Sequence, residues 1–201
     1  MQSDEQLVTA YRNGESDALE FLIQRYLKSI YHFAYRMVGT VHDAEDVTQE
    51  AFVKAWKNIH KFDPRKSLAP YRTEGSGSGF KAWIFSIAKN TALDFLKKKK
   101  AVPFSSFGNE EGDNALIERI ADAEALPSEV FDRADLASFL ASALAKLPPM
   151  YRVVLTLRYN EQLNFREIAE VLSESIHTVK SRHRRAILLL RELLVAPKDV
   201  V

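Results

Sequence analysis

The sequence predicts an all-α protein built as two helical domains joined by a flexible acidic linker, and three observations predict it. Apolar residues recur at helical spacing through most of the chain, with no convincing run of strand alternation. Two stretches rich in Pro, Gly and Ser interrupt that pattern, one after Asp63 and one after Lys100. Charge is segregated in blocks. Residues 1–60 carry 6 Lys/Arg against 9 Asp/Glu, residues 61–100 carry 10 against 3, residues 101–145 carry 2 against 9, and residues 146–201 carry 10 against 6. Two basic blocks flanking an acidic one fit two sites on one polyanion, separated by a segment that is not a binding surface. The expected division is a domain over residues 1–100, a linker over 101–134 and a domain over 135–201.

The elements follow in order. Residues 4–14, DEQLVTAYRNG, and residues 16–39, SDALEFLIQRYLKSIYHFAYRMVG, read as a short and a long helix, each ending at a glycine (Gly14, Gly39) suited to a left-handed C-terminal position, with Ser16 as an N-cap. Residues 43–59, DAEDVTQEAFVKAWKNI, form the next helix, which ends near Phe62-Asp63-Pro64. At about 100° per residue, Asp46, Gln49, Glu50, Val53 and Lys57 share one face, while Ala44, Val47, Ala51, Ala55 and Ile59 face a core. Asp43 is expected mainly to cap. Residues 64–79 are a loop by every local signal, and 80–100 resume as a helix ending in a Lys run that suits its C-terminal dipole. Ile84, Phe85, Ala88, Ala92 and Phe95 form its buried stripe. Trp83, Ser86, Lys89, Asn90, Asp94 and Lys97 lie toward the other side, an aromatic, amide and cation set of the kind that holds single-stranded DNA. Trp83 fits a core position at a helix start equally well. The acidic stretch 101–134 reads as a tether with a turn of helix near Leu116 to Ala121.

The last block opens with an Ala- and Leu-rich helix, breaks at Pro148-Pro149 and restarts. Asn164 with Glu167 fits a capping box, the helix Phe165–Leu172 stops at Ser173-Glu174, and Ser175 caps a final helix to about Leu194. Small Ala169, turn residue Ser173 and apolar Val179 have the spacing of a helix-turn-helix. On the final helix Ile176, Val179, His183, Ala186, Ile187 and Leu190 turn inward, whereas Thr178, Lys180, Ser181, Arg184 and Arg185 lie outside. That is the layout of a groove-entering helix, with base-reading residues early and cations around them. A solvated basic helix is the plainer alternative; the capped turn beside it favours DNA.

These residues carry a family resemblance. Leu147-Pro148, Leu157-Arg158, Glu167-Ile168-Ala169, Thr178 to Arg182 and Arg185-Ala186 resemble region 4 of the extracytoplasmic-function sigma factors, group IV of the sigma-70 family. Asp43 to Asp46, Gln49-Glu50 and Phe52 are similar to region 2.2, and Phe80, Trp83-Ile84, Ile87-Ala88, Asn90 and Asp94 match the following signature. Ser173 departs from the Gly usual at the turn, which predicts a slightly different turn. The resemblance implies a sigma factor that directs RNA polymerase core to promoters. Region 2 over residues 1–100 would dock on the beta-prime clamp helices through Asp43, Asp46, Gln49 and Glu50. It would melt the −10 element through Trp83, Lys89, Asn90, Asp94 and Lys97. Region 4 over 135–201 would read the −35 element through Ser175, Thr178, Lys180, Ser181, Arg182, Arg184 and Arg185. It also implies an anti-sigma factor as regulator.

The loop Pro64–Gly79 is longer than the family's, in a place where the family forms a pocket for a flipped base. Arg65, Lys66, Tyr71 and Arg72 are its candidates for DNA contact, and a merely mobile loop fits as well. No enzymatic role, cofactor or metal is expected. Without cysteine the chain has no disulfide, thiol nucleophile or thiolate ligand, and no His is spaced to join Asp46 and Glu50. The N-terminus is unlike a signal peptide, no apolar run approaches the roughly 18 residues of a span, and a cytoplasmic location is the expectation. A stand-alone helix-turn-helix regulator is the competing class, and the acid-amide face of residues 46–50 counts against it.

Overall fold

The computed structural model of the chain describes residues 2–63, 79–100 and 133–195. Within them every regular element is helical. α1 (Asp4–Arg12), α2 (Asp17–Val38) and α3 (Val41–Asn58), the last followed by a 3-10 turn (Ile59–Lys61), lead to α4 (Gly79–Lys100). Then come α5 (Arg133–Lys146), α6 (Pro149–Leu155) with a π turn (Thr156–Asn160), α7 (Phe165–Leu172) and α8 (Ile176–Val195). The long loop with Arg65, Lys66, Tyr71 and Arg72, the acidic tether and its helical turn near 116–121 lie outside the described residues.

Local chemistry sets the helix ends. Gly39 takes the left-handed position (φ 89°) after α2, which a side chain would disfavour. Two expected caps differ. Ser16 stands before α2 in helical conformation with no side-chain cap bond. The tight turn from α1 satisfies the donors instead, with Ala18 N bonding to Glu15 O at 3.2 Å and Leu19 N to Ser16 O at 3.1 Å. At α3 the cap is Thr40, whose Oγ1 accepts from Asp43 N at 3.2 Å, so the helix starts two residues before Asp43.

The N-terminal half packs around α2. Ile30, Phe33, Ala34 and Met37 are fully buried against Ala44, Val47, Ala51 and Ala55 of α3 and Ile84, Phe85, Ala88 and Ala92 of α4. Alanines on α3 and α4 let the three backbones approach, and the space they leave is filled by Phe33 and Phe85, whose rings meet edge to face at 5.6 Å. α1 braces this unit from outside. Asp4 accepts hydrogen bonds from Arg25 and Tyr26, and Arg12 donates to the carbonyls of Ile59 (2.6 Å) and Phe62 (2.5 Å) at the end of α3.

The C-terminal half does not stand apart. Val153, Val154, Leu157, Leu163, Ile168, Val171 and Leu172 belong to the same continuous apolar core as α2 to α4, with α7 seated along α4. Buried Arg152 fastens the joint. Its guanidinium donates to the carbonyls of Leu144 (3.0 Å), Ala145 (2.5 Å) and Leu147 (3.0 Å) at the end of α5, and to that of Met37 (2.8 Å) at the end of α2. Two helix C-termini, each with a negative dipole end and orphan carbonyls, thus share one cation. Burial lowers the Arg152 pKa, but a guanidinium stays charged at any working pH.

Candidate nucleic-acid interface

The exposed face of α3 carries Asp46, Gln49, Glu50 and Val53, with Val53 49% exposed. Lys54 pairs with Glu50 at 2.8 Å and His42 approaches Asp46 at 3.9 Å; both pairs are exposed, so water and salt leave the face predominantly acidic. Asp43 is separate from it. Asp43 is buried, and its carboxylate is held by Lys99 of α4. The Lys99 ammonium, helped by the Thr40 hydroxyl, keeps that carboxyl below its ordinary pKa. One of the four acids and amides grouped by sequence therefore ties α3 to α4, and three remain on the surface.

The −10 set on α4 is also divided. Asn90 and Asp94 are exposed, and Lys97 is half-buried with Asp94 3.8 Å away. Trp83 is half-buried, its ring 5.4 Å from those of Phe62 and Phe80, and these three rings close the gap between the two ends of the long loop. Lys89 is buried. Loss of water pushes its ammonium pKa down, while the carboxylates of Glu174 and Asp94 partly restore it. Sequence periodicity set Lys89 on the outer side of α4, whereas in the whole chain it is buried, with Glu174 of the C-terminal half close enough to act on its charge.

The helix-turn-helix is built as its sequence signals require. Asn164 Oδ1 accepts from the backbone of Arg166 and Glu167, and the buried Glu167 carboxylate accepts from Asn164 N at 2.7 Å. Ser173 occupies the left-handed region (φ 56°, ψ 40°), and Glu174 N closes the turn onto Ala169 O at 3.0 Å. The turn thus places its serine in a backbone conformation that glycine adopts more readily. Ser175 Oγ accepts from Thr178 N at 3.0 Å and starts α8.

On α8, Val179 and Ala186 are fully buried, anchoring the helix, and Ser175, Lys180, Ser181 and Arg184 are exposed. Thr178 and Arg185 are half-buried. Arg182 differs: its guanidinium is bound to Glu174 at 2.5 Å and its side chain is 11% exposed. His183 packs on Phe165 and bonds to Tyr159 Oη at 3.0 Å; burial, with Arg158 nearby, lowers its pKa, so it supports the helix as a neutral ring. Lys180, Ser181 and Arg184 share one side of the N-terminal half of α8, and Ser175 stands at its cap.

Several residues that matter to this arrangement carried no local signal. Lys81 donates to the carbonyl of Glu161 at 2.6 Å across 80 residues of sequence, and Arg152 reaches Met37 across 115. Such pairings are invisible to periodicity because they join elements whose docking the sequence does not state. Among the described residues there is no group of three or more His, Asp or Glu able to hold a metal ion, and no helix is long and apolar enough to cross a membrane.

Comparison with known proteins agrees with the motifs. The family model for sigma-70 region 2 matches residues 22–102, and that for sigma-70 region 4 matches residues 143–192. The chain is 33% identical over 185 residues to the extracytoplasmic-function RNA polymerase sigma factor SigW of Bacillus subtilis, covering 91% of this chain and 92% of SigW. It is 31% identical to the RNA polymerase sigma-H factor of Pseudomonas aeruginosa, covering 92% of this chain and 90% of that one. Among solved structures, CnrH in complex with the cytosolic domain of CnrY superposes with a TM-score of 0.66 at 26% identity, over 98% of this chain and all of that one. The sigma factor RpoE of Bartonella quintana, solved with the anti-sigma factor NepR, has the same fold at a TM-score of 0.58 and 22% identity, over 89% of this chain and 98% of its own. With region 2 and region 4 both present and a near full-length relative at 33% identity, the chain belongs to the extracytoplasmic-function sigma factors of RNA polymerase.

Proposed function

We propose that this sigma factor binds RNA polymerase core through the exposed face Asp46, Gln49 and Glu50 of α3, opens the −10 element on α4 and reads the −35 element as duplex with α8. The observation that carries the reading is the pairing, in one chain, of an exposed acid-amide face with a capped helix-turn-helix whose recognition helix presents Ser175, Lys180, Ser181 and Arg184 to solvent. A DNA-binding regulator that works alone has no use for the first; a polymerase subunit needs both. Asp43 acts in this scheme through Lys99, by fixing α3 against α4. Trp83, Asn90, Asp94 and Lys97 supply stacking, base-edge contacts and phosphate pairing. Thr178 and Arg185 support the exposed set on α8. The protein acts by binding and has no active site of its own. An anti-sigma factor is the expected regulator; CnrH, of the same fold, forms a complex with the cytosolic domain of CnrY.

The test is run-off transcription with purified core polymerase and promoter DNA selected from genomic fragments. Specific transcripts are expected. Charge reversal at Asp46 and Glu50 should weaken core binding by at least about tenfold and leave duplex affinity unchanged, because rim charges across an interface change association and specificity strongly. Charge reversal at Lys180 and Arg184 should do the converse, abolishing salt-dependent duplex binding with core affinity intact. Duplex binding without any specific transcript would return the chain to the class of stand-alone regulators.

A further inference from the structure

α1 contributes no residue to the surfaces assigned above, yet both of its ends are tied to one aromatic ring near the start of α4. Trp83 is held by Phe62 and Phe80, its ring centre 5.4 Å from each of theirs, and those two rings meet edge to face at the same distance. Phe62 and Phe80 are buried. Trp83 is half-buried and lines a cleft of about 220 Å³ together with Phe62, Asp63, Ser86 and Glu170. The attitude of the Trp83 ring is therefore set by where the two phenylalanines are held, since aromatic pairs keep preferred mutual angles.

Each phenylalanine answers to one end of α1. At the C-terminal end, one guanidinium nitrogen of Arg12 donates to the carbonyls of Ile59 (2.6 Å) and Phe62 (2.5 Å), which bracket the 3-10 turn. Phe62 N donates to Ile59 O at 3.2 Å, so the cation closes the turn that delivers the Phe62 ring. Tyr11 stacks on Trp56 of α3, with ring centres 6.2 Å apart, and so keeps this end of α1 beside the turn. At the N-terminal end, the buried Asp4 accepts from the Tyr26 hydroxyl and from Arg25 of α2. The Tyr26 ring lies 5.6 Å from that of Phe80. Two polar ties, one from each end of a nine-residue helix, thus reach the same aromatic trio through different neighbours.

We propose that Arg12 and Asp4 are positioning residues for capture of the −10 strand: neither touches DNA, and together they set the angle at which Trp83 offers its face to an unstacked base. The inference rests on the −10 reading of α4 given above. Loss of a stacking ring weakens strand binding by roughly fivefold to a hundredfold, and a ring turned from its working angle loses part of that. Core docking and duplex reading use other faces and do not depend on this angle.

The test uses holoenzyme assembled from the full chain and core polymerase, with a fluorescent single strand carrying the −10 sequence of a promoter found by the transcription assay above. All variants are made in a Trp56→Phe background, which keeps a ring against Tyr11 and leaves Trp83 as the sole tryptophan of a chain that has two. Arg12→Ala should weaken strand binding at least about threefold, short of the loss in Trp83→Ala, and should make the Trp83 emission easier to quench with acrylamide. Tyr26→Phe keeps the ring against Phe80, deletes only the bond to Asp4, and should act in the same direction to a smaller extent. Arg12→Lys, with a single ammonium to offer the two carbonyls, should recover part of the strand affinity. Core and duplex affinities should stay at the background value throughout. Unchanged strand affinity in Arg12→Ala and Tyr26→Phe, with Trp83→Ala weakened, would overturn the positioning role. Were Arg12→Ala to lose strand, core and duplex binding together, it would have unfolded, and Tyr26→Phe alone would decide by the same criterion. Full strand affinity in Trp83→Ala would overturn the −10 reading instead.

Discussion

Ser173 shows how one side chain can conflict with the turn it occupies. Its backbone sits at φ 56°, where a non-glycine residue costs on the order of 1–2 kcal/mol, yet the turn geometry is retained because the caps on both sides, Asn164 with Glu167 and Ser175, fix the two helices it joins. Ser173→Gly is expected to stabilise the protein by up to about 1 kcal/mol, the relief of strain being partly offset by the greater freedom of glycine in the unfolded chain. Urea denaturation of the two proteins measures it; a loss of stability would mean that the serine hydroxyl contributes more than the strain costs. Asp43 makes a related point about reading residues singly. Its position in the acidic motif grouped it with Asp46 and Glu50, but its carboxylate answers to Lys99, and only the packing of α4 against α3 reveals that.

At the scale of elements, α7 is only eight residues long, so it relies on its caps as well as on the buried face of Ile168, Val171 and Leu172. So short a helix is not stable from propensity alone. Asn164 satisfies two backbone donors and Glu167 returns a bond to Asn164 N, so Asn164→Ala removes both the cap and the reciprocal geometry. The expected cost is about 1 kcal/mol of stability. Because α7 also forms the seat against α4, hydrogen exchange should quicken in α7 and in the turn to α8 before it changes in α2. Uniform quickening across both halves would show that α7 has no independent contribution. The face of α3 illustrates the opposite case: Ala44, Val47, Ala51 and Ala55 were assigned to the core by periodicity and are fully buried, since a helix with one apolar stripe has only one way to face a bundle.

For the whole molecule, the junction between the halves carries a built-in pH response. Glu161 is buried at that junction, and burial raises its carboxyl pKa above the ordinary 4.5; Lys81, Ser29 and Arg36 oppose the rise without cancelling it. In an opened chain the same carboxyl returns to water. The closed form therefore holds a proton more readily, so closure is favoured as pH falls toward the raised pKa and weakens as pH rises through it. Energy transfer between dyes on α3 and α8 should report a shorter separation at about pH 5 than at about pH 7, and Glu161→Gln should flatten that dependence. An unchanged slope in Glu161→Gln would assign the response to another group.

What the sequence determined by itself was local and periodic: the helices, the capping box, the buried stripes, the acid-amide face and the basic strip of α8. Each follows from spacing along the chain, where neighbours three or four residues apart are neighbours in space. Motifs added the family, because three signatures in order are specific even without a structure. What only the tertiary structure decided was how those faces are used in the free molecule. It turned Asp43 to Lys99, buried Lys89 within reach of the Glu174 charge, and joined residues as distant as Met37 and Arg152. The physical reason is that periodicity reports which side of a helix is apolar, whereas the partner covering a half-polar face depends on contacts between segments far apart in sequence, which no local pattern encodes.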